Sequence, residues 1–374
     1  MKKRWIAAWL CLMMISLCVC AAADRDNGVW KYKSAGGKMQ LTGYMGAERI
    51  KKLEFPEEID GVPVGIIGNG SIFVWLNEVG QRTELIFPDT TEEIRGEFFT
   101  LGSFGKVVIP ASVKTIGNSA FAIAAVTEFE FEGAPTTFGD RAFAENFDLK
   151  QMEIPEGVET IGGSCFEMCD RMTSVTLPAS LKSIGSKCFS GDVKLSSVKF
   201  APGCAIPEIP MGCFISCAIK SVDIPKSVTK IGTNAFYGCE KLTAVTIPAG
   251  VTSIASDAFS GCPDNIVFTV TEGSYAHDWA AGKGYKVKTV PAPVTVTAPD
   301  GSTVAYYELK PGSKGPEVLE ARTKLYELGY FSKVPTQTEY TNNMMDYVKK
   351  FEKDYGLKED GILSPEDQAV LFAQ

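Results

Sequence analysis

The chain has 374 residues, 45% of them hydrophobic and 22% charged, with a net charge of -8. That length and composition suit two folded units rather than one, and they argue against wholesale disorder. The acidic balance excludes nucleic acid as a ligand, because phosphate-backbone binding depends on clustered Lys and Arg that release counterions.

The chain opens with Met1-Lys2-Lys3-Arg4, an apolar run from Trp5 to Val19 and the small residues Ala21-Ala22-Ala23. This three-part pattern predicts a secretory signal peptide over residues 1–23, cleaved after Ala23. A membrane anchor is the rival, but the apolar run of about 15 residues falls short of the roughly 20 that a spanning helix needs. A second rival acylates Cys20, yet Leu17-Cys18-Val19-Cys20 lacks a small residue just before that cysteine. Beyond the leader no segment is long and apolar enough to span, so no transmembrane segment is expected after signal removal.

Residues 24–40 read as a hairpin, with Trp30-Lys31-Tyr32 and Met39-Gln40-Leu41 flanking Ala35-Gly36-Gly37, placed to cap the first coil of a repeat array. From there to residue 287 the chain repeats itself. Ile154-Pro155-Glu156-Gly157-Val158-Glu159-Thr160-Ile161-Gly162 and Ile224-Pro225-Lys226-Ser227-Val228-Thr229-Lys230-Ile231-Gly232 share one pattern, and Leu177-Pro178 and Ile247-Pro248 begin further copies. A phenylalanine recurs at Phe121, Phe143, Phe166, Phe189, Phe214, Phe236 and Phe259, at intervals of 22, 23, 23, 25, 22 and 23 residues. One coil is therefore about 23 residues. Degenerate coils precede these around Ile67-Gly68 with Phe73, and around Ile94 with Phe98 and Phe99.

Within a coil, Val245 and Ile247 alternate with a polar position, which is strand behaviour with one face buried. Pro248 ends the strand because it has no N–H for the ladder. Val251 and Ile254 return the chain inward and Phe259 fills the interior. A single coil cannot bury its own apolar face, so stability comes from stacking. Ser274 to Ala281 is expected as a short helix closing the far end, with Ser274 as N-cap.

The run from Ile224 to Cys239, Ile-Pro-x-x-Val-x-x-Ile-Gly-x-x-Ala-Phe-x-x-Cys, resembles the BspA-type leucine-rich repeat of bacterial surface proteins. The resemblance covers residues 41–287. It implies a right-handed parallel solenoid of about nine coils and a role in adhesion or recognition, without naming a ligand.

Eight cysteines follow the leader. Cys165, Cys188 and Cys213 stand just before a core Phe, whereas Cys169, Cys217, Cys239 and Cys262 stand three residues after one; Cys204 is the eighth. Small buried residues suit these places, so free, ladder-forming thiols are expected, with one or two disulfides between neighbouring coils as the alternative. The Cys-x-x-x-Cys pairs have no histidine near them to complete a metal site. His277 is the only histidine, and no Ser or Cys nucleophile is recognisably paired with it. Glu57-Glu58 and Glu92-Glu93 read as solvated turn charges. No phosphate loop, dinucleotide fingerprint or zinc motif appears, so no catalytic residue, cofactor or metal is expected and the protein is read as a non-enzyme.

Residues 288–305 turn to Pro, Val and Thr and read as an extended linker with a reach of ~50 Å; the alternation of Val294-Thr295-Val296-Thr297 leaves an added strand as the alternative. Residues 306–374 carry three helical patterns, Glu317 to Leu328, Asn343 to Tyr355, and a last one capped by Ser364 with Pro365 at its first position. They make a small all-α, three-helix unit beside a mostly β solenoid. Leu309 to Val318, Leu328-Gly329-Tyr330, Tyr347 to Glu352 and Gly356 to Ile362 together resemble the peptidoglycan-binding domain of wall-directed bacterial proteins. Two positions depart from that pattern: Gln337-Thr338 stands where the family has Asp-Gly, and Glu352 where it has Gln.

The resemblances imply a secreted protein of the extracellular cell wall, with peptidoglycan held by the C-terminal unit and a protein or glycan met by the solenoid. The alternative is an extracytoplasmic protein-binding scaffold with no wall-glycan binding. Candidate ligand-binding residues are the polar strand positions Thr173, Thr176, Ser197, Lys199, Lys220, Asp223, Thr243 and Thr246.

Overall fold

A computed structural model describes residues 25–46, 51–68, 82–292 and 294–374. The expected leader at 1–23 and Phe73 of the first degenerate coil lie outside the described residues. The remainder is mostly β: a solenoid of about 10 turns, against the nine expected, followed by a helical region.

Each full coil contributes two short strands. The first runs along one wall, as in Ser174–Leu177, Ser197–Phe200, Ser221–Asp223, Ala244–Ile247 and Val267–Thr271. The second is a two-residue strand on another wall, as in Thr115–Ile116, Thr137–Phe138, Thr160–Ile161 and Ser183–Ile184. Pairing between coils is parallel and in strict repeat register: Thr160 sits opposite Ser183, and Val175 opposite Val198. The burial of Ala244–Ile247 alternates as the period-two reading requires, with Val245 and Ile247 inside.

The recurring phenylalanines form one column. Phe143, Phe166, Phe189, Phe214, Phe236 and Phe259 stack face to face with centroids 5.1 to 5.5 Å apart. Sequence spacing thus becomes a spine whose rise follows the strand-to-strand distance of a sheet. Two left-handed residues bracket the ring in coil after coil: Arg141 and Glu145 around Phe143, Ser164 and Met168 around Phe166. The recurring Ile-Gly has a packing cause, since a Cβ on Gly185 would lie 2.3 Å from the Gly163 nitrogen of the previous coil.

Both ends are closed. Trp30–Ala35 and Lys38–Tyr44 form the antiparallel hairpin, and Trp30 packs 5.0 Å from Tyr44 and 5.2 Å from Phe55. At the far end, helix α1 (Tyr275–Gly282) is capped by Ser274, which accepts from the His277 N–H. Its Trp279 lies 5.7 Å from Phe259. His277 is engaged locally, its Nδ1 accepting from the Gly273 N–H at 3.1 Å.

The expected extended linker at 288–305 is corrected by the structure. Lys286–Val290 adds a parallel strand to Val267–Thr271. Val294–Thr297 then pairs antiparallel with Thr303–Tyr306, closing on a turn in which Asp300 Oδ1 accepts from the Ser302 N–H at 2.8 Å and Gly301 has a φ of 84°. The alternating Val and Thr form a ribbon because one edge can half-bury Val296, Val304 and Tyr306, with Tyr306 stacked 5.7 Å from Phe372. The ribbon therefore belongs with the C-terminal unit.

That unit holds helices α2 (Pro316–Glu327), α3 (Asn342–Asp354) and α4 (Pro365–Phe372). They share a core of Val318, Leu325, Tyr340, Met344, Val348, Phe351, Leu363 and Leu371. Ser364 and Asp367 form a reciprocal capping box at the start of α4.

Candidate binding surfaces and the cysteine ladder

The eight candidate ligand residues all lie along the outer side of the first-strand wall, exposed or half-buried, but the structure divides them. Thr173, Lys220 and Thr243 fall in one file at the strand entrances, linked through Ser196 by backbone bonds from Ser196 N to Thr173 O, Lys220 N to Ser196 O and Thr243 N to Lys220 O. The Thr243 hydroxyl is partly engaged in this file, donating to the Lys220 carbonyl at 3.2 Å. Thr176 stands opposite Lys199, with Ser197 two residues before it in the same sheet. Asp223 stands opposite Thr246 in a different sheet.

Beside Thr176 opens a shallow cleft of about 300 Å³ lined by Gln151, Met152, Glu153, Ile154, Ser174 and Val175. Its lining mixes the Glu153 carboxylate, the Gln151 amide and the Ser174 and Thr176 hydroxyls with buried Met152, Ile154 and Val175, a surface that can hydrogen-bond a sugar or peptide but lacks the aromatic and arginine anchors of tight interfaces. Asp223 is placed differently from the rest. Three residues on, Lys226 Nζ reaches Glu320 of α2 at 2.8 Å and Glu317 at 3.7 Å. Burial raises the Glu317 carboxyl, Lys226 opposes that rise, and Asp223 adds to it. With the Thr271 and Tyr307 hydroxyls 3.0 Å apart, these contacts seat the C-terminal unit against the last coils, so Asp223 borders a domain seam.

The cysteines are free: seven are buried and Cys262 is half-buried. Beyond their small size, four of them serve a hydrogen-bonding purpose that the sequence pattern concealed. The position three after the core Phe is a slot whose side chain donates to the Phe carbonyl of the preceding coil. Cys169 Sγ lies 3.3 Å from Phe143 O, Cys217 Sγ 3.1 Å from Phe189 O, Cys239 Sγ 3.0 Å from Phe214 O and Cys262 Sγ 3.0 Å from Phe236 O. Asn146 does the same with its amide, 2.7 Å from Phe121 O. Burial pushes the thiols of Cys165, Cys169, Cys188, Cys213 and Cys217 upward, so they stay protonated and able to donate. The same slot in another coil is Asp192, wholly buried. It was legible in the sequence as the residue three after Phe189, but only against the other coils. No group of three or more metal-binding side chains occurs among the described residues, and no helix among them is long and apolar enough to cross a membrane.

In the C-terminal unit, Glu352 is fully buried. Its Oε2 accepts from the Gly361 N–H at 2.8 Å, and burial pushes its carboxyl up to about 7. The Glu that departs from the family pattern is therefore a core residue, not part of an outer surface. Gln337 and Thr338 are exposed, in the segment before α3.

No curated protein matches the chain significantly. Among solved structures it is similar to a leucine rich cell surface protein from Faecalibacterium prausnitzii A2-165, at 20% identity over 69% of this chain and 97% of that one, with a TM-score of 0.34. It is also similar to a leucine rich repeat protein from T. pallidum, at 20% identity over 72% and 100%, TM-score 0.32, and to the pneumococcal vaccine antigen PcpA, at 13% over 73% and 99%, TM-score 0.32. Residues 314–371 match a family model described as "Putative peptidoglycan binding domain". Residues 77–196 and 207–277 match six copies of the BspA type leucine rich repeat region; with more than half of its length so matched, the chain belongs to the BspA-type leucine-rich repeat family.

Proposed function

We propose that this is a secreted, wall-associated binding protein without catalytic activity, in which the C-terminal unit holds peptidoglycan and the first-strand wall of the solenoid meets a protein or glycan. The observation that carries the reading is the joining, in one chain, of a repeat array with an open polar strand wall and a separately cored unit matched to peptidoglycan binding. Of the two departures from the family pattern, Glu352 lies in the core and leaves the surface to the other, the exposed Gln337-Thr338.

The test is co-sedimentation with purified wall sacculi, comparing the full protein with a truncation after Ala292. The cut is placed there because the ribbon beginning at Val294 packs with the C-terminal unit. The full protein should pellet with sacculi, and the truncated one should stay in solution while keeping its strand signal by circular dichroism. Equal sedimentation of the two, or of neither, would replace the tether with the scaffold reading.

A further inference from the structure

Arg322 on α2 differs from the arginines of the solenoid coils. Arg82, Arg95, Arg141 and Arg171 each have a carboxylate within 3.3 Å. Arg322 has none among the described residues. Its guanidinium lies 5.1 Å over the Phe331 ring, and Phe331 in turn packs 4.4 Å from Tyr347 of α3. Among the described residues its Nε is buried with no acceptor, and its guanidinium makes only a long hydrogen bond, from Nη1 to the Glu339 carbonyl at 3.4 Å. The Glu339 carboxylate is drawn elsewhere, to Lys314 at 3.3 Å.

The buried Nε is out of a ligand's reach, but the terminal nitrogens hold only one long bond, and a partly desolvated guanidinium is costly while its donors stay unmatched. Its rigid fork fits a planar carboxylate with two parallel bonds. The aromatic pair beneath it fixes its orientation and offers a flat apolar face to the rest of the ligand. The setting leaves the site open. Glu317 and Glu320 turn toward Lys226 of the solenoid, and at about 100° per residue Arg322 projects from roughly the opposite side of α2.

We infer that Arg322, Phe331 and Tyr347 form a carboxylate-binding site by which the C-terminal unit recognises the stem peptide of peptidoglycan and not its glycan strand. The inference rests on the wall-binding reading above and deepens it. In the polymer the free carboxylates belong to the peptide, whereas the sugars present hydroxyl and amide groups, which would leave the guanidinium unmatched.

The test uses the full protein and its Arg322→Gln and Arg322→Lys variants, pelleted with purified sacculi freed of attached polymers in the presence of one of two soluble competitors: the free stem peptide, which carries the carboxylates, or an oligomer of N-acetylglucosamine, which carries only the hydroxyl and amide groups of the glycan. The expected result is that wild type pellets with sacculi and is released by the stem peptide but not by the sugar oligomer, that Arg322→Gln weakens binding by about tenfold or more, and that Arg322→Lys falls between. Circular dichroism confirms that each variant is folded, and the lysine variant reads the site alone if the glutamine variant is not. Release of wild type by the sugar oligomer and not by the stem peptide, or undiminished binding by folded variants, overturns this inference and leaves wall binding intact. Failure of wild type to pellet with sacculi overturns the wall reading itself, and this inference with it.

Discussion

Replacing Asp192 by Asn should make the solenoid more stable, and increasingly so as pH rises. Asp192 fills the slot that Cys or Asn occupies in neighbouring coils, where the side chain donates to a Phe carbonyl. Its Oδ1 accepts from the Cys169 N–H at 2.7 Å, while Oδ2 is buried without a partner. A carboxylate can only accept, so the residue can match its neighbours only as the neutral acid. Burial drives its carboxyl far above the ordinary 3.8; the Cys169 N–H opposes the rise, and the nearby Asp170 and Glu167 add to it. Because the folded value is the higher one, the folded chain keeps a proton that the unfolded chain releases. The contribution of Asp192 to stability is therefore complete below the unfolded value and is lost as pH rises toward the folded one. Each pH unit in that window costs about 1.4 kcal/mol. An asparagine amide donates at every pH, as Asn146 does, and escapes this cost. Urea unfolding followed by circular dichroism, at about pH 5 and about pH 8, reads the effect. The advantage of Asp192→Asn should be larger at the higher pH than at the lower one. A variant less stable than wild type at the higher pH, or a difference that does not change with pH, would refute the neutral-acid slot.

The same geometry sets three more outcomes. Phe236→Ala removes a ring stacked 5.3 Å from Phe214 and 5.1 Å from Phe259 and should cost about 3 to 5 kcal/mol; a midpoint equal to wild type in chemical denaturation would contradict the column. In thiol titration of the native protein Cys262 should react first, being half-buried and with its thiol lowered by a hydrogen bond with Cys239, and denaturation without reductant should release all eight; finding disulfides instead would overturn the free-thiol ladder. Glu352, raised by burial to about 7, should stabilise the C-terminal unit most on the acid side and lose that contribution as pH rises through neutrality. Glu352→Gln keeps an acceptor for the Gly361 N–H and should flatten the pH dependence of melting; an unchanged profile would show that Glu352 is not the titrating group.

The repeat, its strands and its aromatic column could be read from the sequence because every coil solves the same burial problem. Val245 and Ile247, Ile254 and Phe259 announce their inward direction by period alone, and six matching intervals between phenylalanines make the stacking unavoidable. The caps were legible for a related reason: Trp30 and Trp279 are large apolar residues at the two points where the array runs out of neighbours. The three helices beyond residue 315 carry their own periodicity, with Pro316 and Pro365 at the starts of two and a Ser364 cap on the last, so their limits hold to within a residue or two.

Other features depend on groups distant along the chain that only folding brings together. The alternating Val and Thr after Lys288 could equally suit an extended linker or a strand; the packing of Tyr306 on Phe372, 66 residues later, decides for the ribbon. The Cys, Asn and Asp residues after each Phe look unrelated as letters. They become one functional position only when the Phe carbonyl of the preceding coil is placed within 3 to 3.3 Å of the thiols. Arg322 looked like any residue on a helical stripe, because the sequence specifies that a guanidinium is present but not whether a carboxylate stands opposite. Local periodicity determines which way a side chain faces, whereas the partner it meets there is set by loop closure and packing across the whole chain.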